Sequence, residues 1–335
     1  MIVENFEHNM AAHCESGTLT ALLNHAGLKI SEPMVFGLGS GLYFGYLSKS
    51  PNLNFPMFIV RTRPGGLRKQ LRKRIHVNFY KKRYRNPEKA FRELDSLLEQ
   101  KIPVAVQVDF YYMDYIPAWE RVHANIHHVT VVGKEGDEYI LSDSYYPKLA
   151  RLHKNQLMKG RFAKGFMAPK GFMYYVRDVE NHIDYEKQIP KSLRRVINNM
   201  IGVNPGFIGV KGMRKFAEKL LEWPDIARDV EHLSHEVMKI NVFLEDQGTG
   251  GAGFRFLFAT YLKEAADKAK HQELNQFAER MMKIGDKWRE ISLFAAQIGK
   301  NRDLGPERLK ELSDMIMKMA DVETAFYKDL KQIVN

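Results

Sequence analysis

The sequence predicts an α+β domain followed by an all-α helical domain, and three observations support this fold class. Short segments rich in β-branched and aromatic residues alternate with helix patterns in the first half of the chain only. Beyond about residue 191, apolar residues recur three and four positions apart almost without a break. The chain of 335 residues is long enough for two domains. We therefore expect an α+β domain over residues 1–180 and a helical domain over residues 190–335.

The first half contains two predicted helices and five predicted strands. Leucines at helical spacing follow Gly17, so a helix is expected over residues 17–26. Asn86 is typical of an N-cap and Pro87 of a first helical position, which predicts a helix over residues 87–100. The strands are expected at residues 57–61, 104–111, 129–132, 139–142 and 172–176.

The second half contains five predicted helices separated by glycine and proline punctuation. The breaks are Asn204-Pro205-Gly206, Trp223-Pro224 and Gly248-Thr249-Gly250-Gly251. The helices are expected at residues 210–221, 225–244, 254–268, 273–298 and 306–334.

Charge and composition limit the kinds of partner and the cellular location that we expect. The formal net charge of +11 favours an acidic partner, which is a nucleic acid, an anionic membrane or an acidic protein. No apolar run approaches the roughly 20 residues of a membrane span, so none is expected. The first residues lack the pattern of a signal peptide and the chain has one cysteine, which together predict a cytoplasmic protein.

The single cysteine, Cys14, lies where the first helix pattern opens. A thiol in the first turn of a helix feels the positive end of the helix dipole, which favours the thiolate. One cysteine cannot form an internal disulfide, so it is a nucleophile, a metal ligand or chemically inert. The spacing of Cys14 with His13, His127 and His128 matches no zinc pattern, and we expect no metal.

A predicted hairpin supplies a base and a carboxylate for this thiol. Residues 125–133 form one strand, a polar turn follows, and residues 139–143 return as its partner. A histidine at the start of one strand and Asp143 at the end of the other are then neighbours, as in enzymes where a carboxylate orients the base.

Two adjacent histidines compete for the role of base, and the register of the hairpin decides between them. Pairing Thr130 with Ser142 brings His127 next to Asp143. A two-residue turn at Gly136-Asp137 shifts the register and favours His128. We favour His127 and assign His128 to substrate binding.

These segments resemble a known family, the butirosin-biosynthesis BtrH family, together with the helical domain that usually follows its N-terminal domain. The resemblance implies a papain-like cysteine acyltransferase of secondary-metabolite biosynthesis, with Cys14 as nucleophile, His127 as base and Asp143 as orienter. It implies transfer of an acyl or aminoacyl group from an acyl carrier protein thioester to a small-molecule amine acceptor. The phosphopantetheine arm of the carrier is then the donor, and the enzyme itself binds no cofactor. The resemblance rests on His13-Cys14, Gly27, Ser31-Glu32, residues 35–41, Phe44, residues 61–65, 108–112, 127–129, Asp143, residues 248–251, 254–255 and 262–265.

The family pattern is incomplete beside the nucleophile. Papain-like peptidases place a glutamine just before the cysteine as an oxyanion donor, and His8 and Asn9 occupy that neighbourhood here. The backbone N–H of Cys14 is the remaining candidate donor.

A basic run provides the expected carrier-docking surface. Residues 61–85 contain eleven Lys or Arg residues and no acid, with aromatic residues between them. The run suits an acidic carrier protein and its phosphate, and we assign Arg61, Arg63, Arg68 and Arg72 to docking. A nucleic acid suits the same run but is not the partner we expect. A solvated basic face is the remaining alternative.

Three further residues are assigned to the acceptor site. Glu32 follows Ser31 in a helix-cap pattern and is also a candidate contact for an amine. Asp109 and Tyr112 are candidates to line a pocket, although aromatic residues after a strand also suit a core. The alternative functions are a cysteine peptidase or amidase of the same fold, and a non-catalytic nucleic-acid-binding protein. Whether the chain forms a homodimer is left open.

Overall fold

The computed structural model describes residues 1–48, 54–246 and 248–334, and the chain divides into two compact units. Unit 1 comprises Met1–Val35 and Arg68–Ile183, and unit 2 comprises Phe36–Leu67 and Asp184–Asn335. Strands dominate the first unit and helices the second, so the predicted fold class is confirmed. The division is not the single cut near residue 180 that the sequence predicts, because segment Phe36–Leu67 groups with the helical unit.

The core of unit 1 is a six-stranded sheet in which each pair of neighbouring strands is antiparallel. In the order in which they pair across the sheet, the strands are β3 (Asn78–Lys82), β8 (Met173–Asp178), β4 (Val104–Val108), β5 (His127–Glu135), β6 (Glu138–Ser142) and β7 (Ala150–His153). Helices α1 (Cys14–His25), α4 (Pro87–Glu99) and α5 (Lys154–Arg161) complete the unit.

Local capping chemistry sets two boundaries in this unit. The side chain of Asn86 accepts a hydrogen bond from the Lys89 N–H at 2.9 Å, which confirms the predicted start of α4. Strand β4 is shorter than predicted, because the Asp109 side chain accepts from the Tyr111 N–H at 3.1 Å. This contact turns the chain into a short 3₁₀ helix, Phe110–Tyr112. The strand predicted over residues 104–111 therefore ends at Val108.

A β-bulge sets the register of the β5–β6 hairpin. The connection at residues 136–137 is the two-residue turn, since Glu135 pairs with Glu138. An irregularity between Val131 and Gly133 then restores the pairing of Thr130 with Ser142. The hairpin therefore has the two-residue turn that favours His128 and also the Thr130–Ser142 pairing that favours His127. The bulge reconciles them, and the resulting register places Asp143 on the same face as His127.

The N-terminal segment pairs with β5 at this bulge. The Val3 N–H donates to the Val132 carbonyl at 2.7 Å, and the Lys134 N–H donates to the Met1 carbonyl at 2.8 Å. Gly133 admits this close approach, because a Cβ there would lie 2.8 Å from the Met1 carbonyl oxygen. The bulge is thus held by hydrogen bonds to a distant part of the chain.

Unit 2 combines a β-hairpin with a set of helices. Strands β1 (Leu42–Leu47) and β2 (Met57–Arg61) pair antiparallel. Phe44 stacks on Phe58 and Trp288 at centroid distances of 5.7 and 6.1 Å, which explains why this segment belongs with the helices. The helices wholly within this unit are α6 (Tyr185–Ile201), α7 (Gly209–Leu220), α8 (Trp223–Ile226), α9 (Val230–Asn241), α10 (Arg255–Lys268), α11 (Leu274–Lys300) and α12 (Pro306–Val334).

The prediction of a single helix over residues 225–244 is wrong. This part of the chain forms α8, α9 and a π-helical turn at Val242–Asp246. The Asp229 side chain accepts from the His232 N–H at 2.7 Å and starts a new helix, a cap that the apolar spacing conceals.

Two more helices, α2 (Glu32–Leu38) and α3 (Gly66–Arg74), each contain a point in the sequence where one unit ends and the other begins. In the part of the chain that the structure describes, no helix is both long enough and apolar enough to cross a membrane.

Candidate active site

Cys14 is the first residue of α1, and the residues around it hold this helix end in place. His13 is the N-cap, and its Nδ1 accepts from the Ser16 N–H at 3.3 Å. A Cβ on Gly17 would lie 2.5 Å from the Ala11 Cβ and 3.0 Å from the Ser144 side chain. Glycine therefore allows the start of α1 to pack against the loop that follows Asp143.

His127 and Asp143 form a buried hydrogen-bonded pair beside this helix end. The His127 Nε2 lies 2.8 Å from the Asp143 Oδ2, and the Asp143 side chain is fully buried. The Asp143 carboxylate also accepts from the Tyr115 hydroxyl at 2.7 Å and from the Tyr145 N–H at 3.0 Å. Because Asp143 engages Nε2, the His127 Nδ1 is the nitrogen left for the thiol.

Tyr115 is a component of the site that the sequence alone does not assign. It lies 28 residues before Asp143, and no spacing rule connects the two. Its hydroxyl shares the Oδ2 atom with His127, so it fixes the carboxylate that orients the imidazole.

The electrostatics favour a thiolate–imidazolium pair. Burial by itself raises the pKa of Cys14, but hydrogen bonds and charge from His127 and His128 outweigh it and lower the pKa to about 5. Burial lowers the pKa of His127, while Asp143 and Cys14 raise it to about 10. The facing imidazole holds the pKa of Asp143 below its ordinary value despite burial. Cys14 therefore combines a thiol pKa well below its ordinary value with partial exposure, the two properties that make a thiol reactive.

This pairing predicts the pH dependence of thiol alkylation. The rate of Cys14 alkylation by iodoacetamide should rise as the pH passes about 5 and stay high to above pH 9, since the thiolate is present across that interval. Stopped-flow or mass-spectrometric rates measure it. A single rise near pH 9, the ordinary value for a thiol, would contradict the ion pair.

Glu32 contacts the nucleophile segment and not a substrate. Its Oε2 accepts from the Ala12 N–H at 2.8 Å, and its Oε1 accepts from the His13 N–H at 3.0 Å and the Ser16 hydroxyl at 2.7 Å. Three internal donors occupy the carboxylate, so the assignment of Glu32 to an amine acceptor is corrected.

Asp109 and Tyr112 are corrected in the same way. Asp109 is buried and accepts from the Tyr111 and Ala124 N–H groups, and it pairs with His123 at 2.7 Å. Tyr112 packs against the apolar core of unit 1. Both residues shape the loop that leads to His127, and their side chains are committed to the fold.

The remaining histidines near the site are His128, which follows His127, and His8, which precedes the nucleophile segment. His128 is buried, and together with His127 it lowers the pKa of Cys14. His8 contacts the Ser142 hydroxyl at 2.8 Å and the Tyr146 carbonyl at 3.0 Å, which accounts for both of its ring nitrogens. His8 therefore does not replace the missing glutamine. Among the described residues, no group of three or more His, Cys, Asp or Glu could hold a metal ion.

The four arginines assigned to carrier docking separate into three situations. Arg68 is largely buried, with its guanidinium 4.2 Å from the Tyr174 ring centroid and 3.7 Å from the Glu15 carboxylate, so its docking role is corrected. Arg72 is exposed on α3 in unit 1. Arg61 and Arg63 belong to unit 2.

The fold and the site define a class of protein. A thiol at a helix N-terminus, an imidazole at the start of an antiparallel strand and a carboxylate at the end of its partner form the arrangement of papain-like cysteine enzymes. More specifically, residues 13–144 match the family described as butirosin biosynthesis protein H, N-terminal. Residues 155–330, more than half of the chain, match a domain of unknown function, DUF4872, and the chain belongs to this family.

A comparison with solved structures found a similar chain. A putative C39-like peptidase from Bacillus anthracis is 13% identical, with a TM-score of 0.38, covering 53% of this chain and 98% of the peptidase chain. The search of curated proteins gave no significant match.

Proposed function

We propose that this protein is a cysteine-dependent acyltransferase that moves an acyl or aminoacyl group from an acyl carrier protein thioester to an amine. The observation that carries the proposal is the Cys14–His127–Asp143 arrangement with its lowered thiol pKa. The family description, which refers to the biosynthesis of butirosin, supports a biosynthetic role over protein breakdown.

The first half-reaction forms an acyl-enzyme. The Cys14 thiolate attacks the thioester carbonyl carbon, and the bond between that carbon and the phosphopantetheine sulfur breaks. The His127 imidazolium gives its Nδ1 proton to the departing sulfur, and the thiol leaves neutral. One thioester replaces another, so the step is close to neutral in free energy.

The second half-reaction forms the amide. The acceptor amine attacks the Cys14 thioester, and the His127 Nδ1, now neutral, accepts the amine proton. The carbon–sulfur bond breaks and the Cys14 thiolate leaves beside the imidazolium, which restores the resting pair. Asp143 holds the imidazole in one orientation through both steps.

An exposed basic face in unit 1 supports an acidic macromolecular donor. Helix α3 lies beside the nucleophile helix, as the contact between Arg68 and Glu15 shows. Its charge is complementary to an acidic carrier, and such complementarity mainly raises the association rate. The exposed basic residues are Lys69, Arg72 and Lys73 on α3, and Lys81, Lys82, Arg83 and Arg85 in and after β3.

A charge reversal on this face tests the carrier donor. Arg72→Glu combined with Lys73→Glu should lower kcat/KM for an acylated carrier protein by about tenfold or more at low salt. The same variant should leave kcat/KM for a small acyl thioester unchanged, because that donor does not need the face. Lys300→Glu, an exposed change in unit 2, is the matched control. Equal effects on both donors would contradict docking at α3.

Product analysis separates the proposed function from its alternatives. Intact mass should show one acyl group on Cys14 after incubation with an acylated carrier, and an added amine should convert it to an amide. Release of free acid at the same rate with and without an amine would instead identify a hydrolase. Salt-dependent binding of arbitrary DNA or RNA without Cys14 acylation would identify the nucleic-acid-binding alternative.

A further inference from the structure

The carboxylate of Glu32 binds the backbone on the N-terminal side of the nucleophile. It accepts from two consecutive N–H groups, those of Ala12 and His13, at 2.8 and 3.0 Å. It also accepts from the hydroxyl of Ser16, one turn into α1, at 2.7 Å. Glu32 therefore ties the segment before Cys14 to the first turn of the helix that Cys14 begins.

This contact determines where the Cys14 N–H points. His13 is held in an extended conformation, with φ −146° and ψ 132°, so the peptide between His13 and Cys14 has a defined orientation. The first N–H groups of a helix have no acceptor within the helix and lie at its positive end. The Cys14 N–H is thus presented beside its own sulfur, where a tetrahedral intermediate develops negative charge.

The charge of Glu32 argues against a role in activating the thiol. Burial raises the pKa of Glu32, and the nearby Cys14 charge raises it further. A carboxylate close to a thiolate opposes ionisation of the thiol. Its three contacts with the nucleophile segment therefore act through geometry.

We propose that Glu32 is a positioning residue that fixes the Cys14 N–H as an oxyanion donor. It does so in a chain where His8 is occupied by Ser142 and Tyr146 and cannot serve as that donor. The inference rests on the acyl-enzyme chemistry proposed above but not on the identity of the donor.

Two reactions of the same thiol separate positioning from activation. Alkylation by iodoacetamide needs the thiolate and forms no oxyanion, whereas acylation by p-nitrophenyl acetate passes through a tetrahedral oxyanion. Glu32→Gln places an amide that cannot accept the Ala12 and His13 N–H groups together with the Ser16 hydroxyl. Acylation should fall by about a hundredfold, the usual effect of losing one oxyanion donor, while alkylation should change by less than about threefold.

The controls keep the inference open to refutation. Glu7→Gln changes an exposed glutamate of the same unit, paired with Lys29 on the surface, and should alter neither rate. If Glu32→Gln fails to fold by circular dichroism, Ser16→Ala removes one of the three contacts and should still slow acylation more than alkylation.

Other outcomes overturn the inference without bearing on the carrier. Equal loss of both rates would show that Glu32 supports the fold or the thiol only. Unchanged acylation would show that the Cys14 N–H does not depend on it. Because the ester probe needs no carrier, a protein that reacts with the ester but not with a carrier thioester would refute the proposed donor and leave this inference standing.

Discussion

Cys14→Ala is expected to abolish acyl transfer, lowering kcat by at least about a thousandfold for any donor. The reason is that the proposed route has a covalent intermediate on this sulfur, and alanine offers no nucleophile. Cys14 is the only cysteine in the chain, so intact mass assigns any thiol adduct to one atom without digestion. The variant should show neither the acyl adduct nor the amide product.

The fold of this variant is the necessary control. Circular dichroism and a thermal melt check that the variant folds, because alanine removes both the ion pair with His127 and the 3.9 Å contact of the Cys14 Sγ with the Ile126 carbonyl. A folded Cys14→Ala protein that still turns over carrier thioester at the wild-type rate would refute the proposed mechanism.

Asp143→Ala is expected to lower kcat by about a thousandfold, because the imidazole loses both its orientation and its charge partner. Asp143→Asn should have a smaller effect, since an amide oxygen can still accept from the His127 Nε2. Without the carboxylate charge, the pKa of His127 falls and the pKa of Cys14 rises. The rise of the alkylation rate with pH, which follows the Cys14 pKa, should therefore move to higher pH in the asparagine variant.

Asp137→Ala is the matched control for these variants. Asp137 lies exposed in the turn of the same hairpin, so its replacement should alter neither kcat nor the pH profile. Asp143→Ala with a normal pH profile and normal turnover would show that the carboxylate does not orient the base.

Helix ends and strands with clear local signals were predictable from the sequence. The start of α4 follows from the capping pattern at Asn86 and Pro87. Strand β2 follows from its β-branched and aromatic residues, and helix α12 from its apolar spacing. The division of residues 225–244 was not predictable from apolar spacing, because the break depends on a cap at Asp229. Local chemistry therefore predicts elements well where the cap and the periodicity agree.

The register of the active-site hairpin shows the limit of this approach. The two-residue turn at Gly136-Asp137 favours His128, and the pairing of Thr130 with Ser142 favours His127. The choice depends on a bulge at Val132, which is held by Val3 from the other end of unit 1. No local pattern encodes that contact.

Polar residues near the site were the least predictable. Glu32 and Arg68 each have a charge that suits a ligand, but Glu32 accepts from Ala12, His13 and Ser16, and Arg68 packs against the Tyr174 ring. A charged side chain looks the same in a sequence whether its partner is a substrate or its own backbone. Only the packed structure distinguishes the two.

The sequence by itself determined the fold class, the helix that begins near Cys14, and the candidates His127, His128 and Asp143. These follow from short-range physics: side-chain periodicity, capping and the chemistry of a lone thiol. Tertiary structure decided which histidine pairs with Asp143, that Tyr115 supports this pair, and that Glu32 holds the nucleophile segment. Each of these depends on contacts between residues far apart in the chain, whose geometry forms only when the sheet and α1 pack together.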